Sequence, residues 1–221
     1  MEIIGHRGAS GNVLENTAES LTHAAQLGVD AIEFDIRKTK DNHLVVFHDA
    51  NLNRLANHPG KISRLTLSQL QHIKLIGGMT IPTLDTVLKC TGNTPLIIEI
   101  KAAGCAQLLS DALYDQANRD IRIGSFKRRE LKLIKRLEPT LSTYFLEKNH
   151  PIEAISVARK LRLQGVGLNF WILNPLTYWL ANHYKLNLYV WTVNNRLTFW
   201  FIRLFYPRAG ICTDNPDKFI K

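Results

Sequence analysis

No apolar run in the 221 residues reaches the roughly 20 that a helix needs to cross a bilayer, so no membrane-spanning helix is expected. Cysteine is scarce. Cys90, Cys105 and Cys212 are odd in number and form no CxxC pair, which speaks against both a disulfide framework and a zinc ribbon and leaves them as buried free thiols. An HExxH pair, the mark of protease-type zinc, is also lacking. The N-terminus has neither a basic start nor a long apolar stretch, because Met1-Glu2-Ile3-Ile4 runs straight into Gly5-His6-Arg7-Gly8, so a cytoplasmic location is expected. No Pro-, Gly- or Ser-rich linker divides the chain, which reads as one domain over 1–221.

With 45% hydrophobic and 21% charged residues, the composition is that of an ordinary globular protein. The formal net charge of +9 suits an anionic partner, such as nucleic acid, anionic lipid or a phosphorylated substrate, and equally a solvated basic surface. The densest basic run, Lys127-Arg128-Arg129 with Lys132, Lys135 and Arg136, shares a helical segment with Leu131, Ile134 and Leu137 at core spacing, as on an outer helix of a barrel. The basic residues are not interleaved with a nucleic-acid motif, so no nucleic acid is expected as a partner.

Short β-rich runs alternate with amphipathic stretches from end to end, the pattern of repeated βα units around a parallel sheet. Strands are expected at 2–6, 31–36, 44–48, 96–100, 121–125, 141–146, 166–169, 188–193 and 210–213. That is nine runs for the eight places of a (β/α)8 TIM barrel, so one of the late runs is expected to be an extra or weak strand. Helices are expected at 17–27, 83–89, 106–118, 128–137, 152–163, 175–184 and 196–205, with Gly28 closing the first and Pro151 and Pro175 opening later ones. The rhythm breaks at about 49–82, where Asn57-His58-Pro59-Gly60 and a short helical piece at 67–73 suggest a small insertion after the third strand. At 197–206 five aromatics crowd one segment, either a barrel helix packed on the sheet or a patch for peripheral contact with an anionic membrane.

Side chains two apart on a strand share a face, so Glu33 and Asp35 project together while Ile32, Phe34 and Ile36 face the other way. The same arithmetic pairs Glu99 with Lys101 at the end of an otherwise apolar strand, and such charges are costly to bury without a metal or a counter-charge. His6-Arg7 and His48-Asp49 also fall at the C-terminal ends of expected strands, the catalytic rim of such a barrel. Three carboxylates are hard oxygen donors suited to one divalent cation, Mg2+ or Ca2+, and two histidines beside it could serve as general acid and base. Each residue alone has a bland alternative: a satisfied strand-end His, a surface Glu-x-Lys ion pair, an Asp that holds a loop.

The sequence resembles the glycerophosphodiester phosphodiesterase family over nearly its full length. The resemblance rests on Gly5-His6-Arg7-Gly8, Glu15-Asn16-Thr17, Glu33-Phe34-Asp35, Asp41 with Val45-Val46-Phe47-His48-Asp49, Leu52-x-Arg54, Ile81-Pro82-Thr83-Leu84, Glu99-Ile100-Lys101, Trp191-Thr192-Val193-Asn194 and Thr213-Asp214. It implies a divalent cation held by Glu33, Asp35 and Glu99, an acid/base pair in His6 and His48, and a phosphate clamp in Arg7 and Lys101. It also places Glu15 and Asn16 near the site and Trp191 against the glycerol or the phosphate, although Asn16 could instead cap a helix and Trp191 could be a core aromatic. Two positions depart from the family pattern: Leu14 stands where a proline commonly precedes Glu-Asn-Thr, and Asn42 where a glycine commonly follows Asp41.

The implied reaction is hydrolysis of small glycerophosphodiesters, such as glycerophosphocholine or glycerophosphoethanolamine, to sn-glycerol 3-phosphate and an alcohol. Its expected course is attack by the neighbouring glycerol hydroxyl with His6 as base and His48 as acid; reversed roles and direct attack by water remain open. Two alternatives stand beside it: a lysophospholipase D at a membrane surface, and an inactive phosphate-binding barrel.

Overall fold

The computed structural model describes residues 1–116 and 118–220. Position 117, inside the expected helix 106–118, and position 221, the end of the expected domain, lie outside the described residues. Among those described, nine strands occur in order: β1 (Ile3–His6), β2 (Ala31–Lys38), β3 (Leu44–Val46), β4 (Leu96–Ile100), β5 (Ile121–Ser125), β6 (Ser142–Glu147), β7 (Gly165–Asn169), β8 (Asn187–Trp191) and β9 (Gly210–Thr213). Eight are parallel neighbours in the order β1, β9, β8, β7, β6, β5, β4, β2, and a β1–β2 pairing closes the circle. Closure leaves no sheet edge in the wall, which is the (β/α)8 barrel.

The ninth strand is an early one, contrary to the expectation of a late extra. β2 runs past the end of its partner β1, whose last pair is His6 with Glu33, and β3 turns back antiparallel against that overhang, pairing Ile36 with Val46 and Lys38 with Leu44. The hairpin turns at Asn42, whose φ of 62° occupies the left-handed region that Asn tolerates. All the late runs are barrel strands, although β8 stops at Trp191 rather than at 193. Apolar content alone cannot separate a parallel wall strand from a hairpin arm; the pairing partner decides.

Helices α1 (Ala18–Leu27), α2 (Asn53–Ala56), α3 (Leu67–Gln71), α4 (Leu84–Cys90), α5 (Ala106–Ala112), α6 (Arg128–Leu137), α7 (Pro151–Lys160), α8 (Pro175–His183) and α9 (Arg196–Phe205) follow. The fifth is shorter than expected: it ends at Ala112 and is followed by a separate 3-10 turn, Tyr114–Gln116. Helix α1 is capped by Thr17, whose hydroxyl accepts from Ser20 N, and closed by Gly28 at φ 76°.

The alternation along each strand separates two layers of core. Ile32, Phe34, Ile36, Ile98 and Ile100 face outward onto the helices, while Ile4, Ala31, Ile97, Tyr144, Leu146, Tyr189 and Cys212 fill the barrel interior. The segment 49–82 builds a satellite core of its own: Leu52, Leu55, Ile62, Leu70, Leu75 and Ile81 pack with Val45 and Phe47 of the hairpin. Leu14, which replaces the common proline, leans against this cluster and ties the β1–α1 loop to it. Cys105 and Cys212 are buried and Cys90 partly so, all three as free thiols.

Candidate active site

The turn after β1 starts the site. Gly5 and Gly8 let the chain fold back tightly: a Cβ on Gly5 would stand 2.8 Å from the Gly8 carbonyl oxygen, and one on Gly8, at φ 89°, would stand 2.6 Å from Ser20 backbone. His6 and Arg7 lie between them and both face the barrel mouth. In the sheet His6 is level with Glu33, and Asp35 is level with Glu99. Strand register therefore brings the first histidine and three acids from β1, β2 and β4 onto one patch of the rim.

His48 arrives differently. The sequence suggests that it ends a barrel strand, but it follows the antiparallel β3, and the backbone bond from Phe47 N to the Asp35 carbonyl (2.9 Å) brings it back to the same patch.

Each imidazole is backed by a carboxylate. His6 Nδ1 lies 2.6 Å from Asp214 Oδ1, and His48 Nδ1 lies 2.6 Å from Asp49 Oδ1. With Nδ1–H donating to an acid, Nε2 is left as the free nitrogen on each ring. Burial is the main reason that the His48 pKa falls below its ordinary value. Burial would raise Asp214, but His6, Asn194 and Ser10 together outweigh it and hold it at about 2, and Asp49 also falls to about 2, where Arg54 and His48 together outweigh burial.

Glu33, Asp35 and Glu99 are buried, and one oxygen from each lies within 4.8 Å of the others. Burial and the neighbouring acids push Glu33 well above the usual carboxylate range, and burial together with Asp35 pushes Glu99 up to about 7. Asp35 goes the other way: burial alone would raise it, but Arg7 and Lys101 bring it below its ordinary value. Those two cations keep pKa values above normal despite their own burial, because the acids face them. Two cations do not stabilise three ionised carboxylates here, since two of the acids retain raised pKa values. Donor oxygens within 4.8 Å of one another suit an ion bound at roughly 2.0–2.6 Å, so the set fits a divalent cation.

The two histidines, the two cations, Glu33 and Glu99 line a cavity of about 540 Å3; Asp35 does not. Its polar wall is His6, Arg7, Glu33, His48, Glu99 and Lys101; opposite stand Phe126, Leu146, Tyr189 and Trp191, with Lys148 at the rim. Among the described residues three buried polar side-chain atoms have no hydrogen-bond partner, Arg7 Nε, Glu99 Oε1 and Trp191 Nε1, and all three belong to residues of this cavity. Glu99 Oε1 does lie 2.8 Å from Lys101 Nζ and Arg7 Nε 3.3 Å from Asp35 Oδ2, ion pairs whose geometry does not make a hydrogen bond. Unsatisfied buried groups are costly, and several at one cavity point to a ligand.

This barrel is shared widely. A solved phosphodiesterase of Oleispira antarctica, in complex with the product sn-glycerol 3-phosphate, superposes with a TM-score of 0.91 over 99% of this chain and 94% of that one, at 22% identity. At that identity the likeness speaks for the fold alone. The glycerophosphodiester phosphodiesterase of Caldanaerobacter subterraneus subsp. tengcongensis is 31% identical over 237 residues, covering 99% of this chain and 96% of that protein. The model of the glycerophosphoryl diester phosphodiesterase family matches residues 6–218. The chain belongs to that family. A human lysophospholipase D is 37% identical over 111 residues, 44% of this chain and 35% of that protein. As a family member the chain is a phosphoric diester hydrolase acting on glycerophosphodiesters, and its cavity carries the histidines, acids and cations on which the sequence resemblance rests.

Not every expected site residue lines that cavity. Asn16, buried and at φ 58°, spends both ends of its amide on Asp35: Nδ2 donates to Oδ2 (2.8 Å) and Oδ1 accepts from the backbone N–H (3.1 Å). The helix cap is Thr17 instead. Glu15 lies between Arg7 and Arg54, accepting from both. Trp191 is half-buried in the cavity wall, edge-on to Phe126 at 5.9 Å. Sequence reasoning assigned no role to Asp49, Arg54 or Asp214, although each stood in a motif that it singled out. It passed over Phe126 and Lys148 altogether; their only signal is a position just past the ends of β5 and β6.

Proposed function

We propose that this glycerophosphodiester hydrolase cleaves small glycerophosphodiesters, such as glycerophosphocholine or glycerophosphoethanolamine, to sn-glycerol 3-phosphate and the free alcohol. The observation that carries the proposal is the single cavity in which Arg7 and Lys101 face three clustered acids beside two carboxylate-backed histidines. Glu33, Asp35 and Glu99 would hold one Mg2+ or Ca2+, which when bound supplies positive charge against the equatorial phosphate oxygens. Arg7 and Lys101 add theirs and fix the phosphate in the mouth.

His6 Nε2 takes the proton of the glycerol hydroxyl next to the phosphate, Asp214 steadying the imidazolium through Nδ1. The hydroxyl oxygen bonds to phosphorus as the bond to the headgroup oxygen breaks, and His48 delivers a proton to that leaving oxygen. Burial disfavours a charged His48 in the free protein, so its proton depends on Asp49 and on the negative charge of the bound substrate. Water then opens the cyclic phosphate with the two histidines in exchanged roles. The apolar wall of Phe126 and Trp191 takes the carbon skeleton.

A coupled assay for glycerol 3-phosphate, run over several glycerophosphodiesters with EDTA and then with Mg2+ or Ca2+ restored, tests this. Release that stops in EDTA and returns with the cation is expected; release indifferent to EDTA would remove the metal from the proposal. Hydrolysis of lysophospholipids is a second reading, favoured by the exposed aromatics of helix α9, which follows β8 and its cavity residue Trp191.

A further inference from the structure

Between Glu153 and Asp214 the chain contains no acidic residue, yet it holds seven Lys and Arg, which equal seven of the net nine positive charges. This stretch forms one sector of the barrel, from the body of α7 through α9. All seven cations, among them Arg159, Lys185, Arg196, Arg203 and Arg208, are exposed. None pairs with a carboxylate among the described residues. All four tryptophans of the protein also lie here.

The apolar side of the sector is exposed too. Helix α9 buries Phe199 and Ile202 against the barrel, but its outer face, where a globular protein places polar side chains, shows Trp200 at 57%, Phe201 at 54%, Leu204 at 73% and Phe205 at 56% exposure. At the catalytic rim this face continues into Leu197 (81%) and Trp171 (80%), the latter in the turn just after β7. Between that turn and α9 runs a groove of about 510 Å3. Arg203 stacks over Trp200 at 5.1 Å, a cation held at the edge of an aromatic surface. A continuous apolar surface of this kind marks a docking site.

We propose that this sector docks on an anionic phospholipid bilayer. Tryptophan and phenylalanine favour the depth between headgroups and acyl chains, and cations beside them gain from lipid phosphates. A second copy of the chain fits poorly, because a two-fold contact would face one acid-free basic surface with another. Nucleic acid offers nothing for Leu197, Leu204 and Phe205. Since Trp171 and Leu197 sit at the same rim as the cavity, docking would hold the mouth beside the lipid surface, where glycerophosphodiesters that keep one acyl chain reside. That consequence rests on the function proposed above; the docking itself does not.

The test is co-sedimentation of the whole protein with vesicles of phosphatidylglycerol and phosphatidylcholine, and with phosphatidylcholine alone, at low and high salt. Binding to the anionic vesicles is expected to be about tenfold or more stronger than to the neutral ones and to weaken with salt. The pairs Arg196→Glu with Arg203→Glu, and Trp200→Ser with Phe201→Ser, should each lower it by about tenfold or more. Because all four side chains are exposed and none lines the cavity, glycerol 3-phosphate release from glycerophosphocholine should stay unchanged. Wild type left in the supernatant, variants that bind as well as wild type, or a dimer on gel filtration that these substitutions dissolve would each overturn the proposal. Vesicle binding by a protein that releases no glycerol 3-phosphate would uphold docking and sink the proposed substrate.

Discussion

Glu99 shows how a single residue reports on the site. The unfolded chain gives up its proton near the ordinary carboxylate value, whereas the fold keeps it up to about 7 through burial and the charge of Asp35. Across that window the folded state binds more protons than the unfolded one, so stability falls as pH rises from about 4.5 to about 7. Glu33 acts with the same sign. Melting temperatures measured in EDTA should therefore drop over this range, flatten when Mg2+ or Ca2+ is restored, and drop less in Glu99→Gln; a flat profile in EDTA would refute the electrostatic account. Asp214 yields a second prediction at this scale. Asp214→Asn should lower kcat by about 10²- to 10⁴-fold with little change in KM, because the loss falls on the proton transfer at His6 rather than on phosphate binding. Equal losses in kcat and kcat/KM for glycerophosphocholine would agree, and a rise in KM alone would not.

Among the elements, the β2–β3 hairpin decides most. Sequence marks Leu44-Val45-Val46 as a strand and His48 as a candidate, and both are where a reader of the motif looks for them. What it does not show is that this strand turns back on β2, since a period-two apolar run carries no information about its partner. Phe47 joins the two halves of the hairpin's work: it is 1% exposed in the satellite core, and its N–H donates to the Asp35 carbonyl. Phe47→Ala should cost about 3–5 kcal/mol in a urea unfolding series, with Phe47→Leu far milder. The Ala variant should also lose glycerol 3-phosphate release at temperatures where it is still folded, because His48 is the next residue. Unchanged activity in a destabilised protein would separate the satellite core from the catalytic rim.

For the molecule as a whole, closure is the governing fact. The first strand pairs with β2 on one side and with β9, two hundred residues later, on the other. Ending the chain after Arg208 removes β9 and exposes β1 and β8 as unpaired edges. Such a truncation should elute as aggregate on gel filtration, with far-ultraviolet circular dichroism showing reduced structure; a monomer of native content would show that the barrel does not need its last strand.

Periodicity and local end signals along the chain were enough for the alternating βα order, the shared face of Glu33 and Asp35, that of Glu99 and Lys101, and the stop at Gly28, because those depend on neighbours within a few residues; the cap fell to Thr17 rather than Asn16. The family motifs brought the histidines and cations into view without saying what holds them. Tertiary structure decided the rest, because those contacts join distant segments: the Asp214 brace on His6, Arg54 spanning Glu15 and Asp49, Asn16 turned inward onto Asp35, and Phe126 and Lys148 set at the mouth by the ends of β5 and β6. It also decided which face of α9 is left open, since a helix whose aromatics lie on both sides has no outside until the barrel buries one of them.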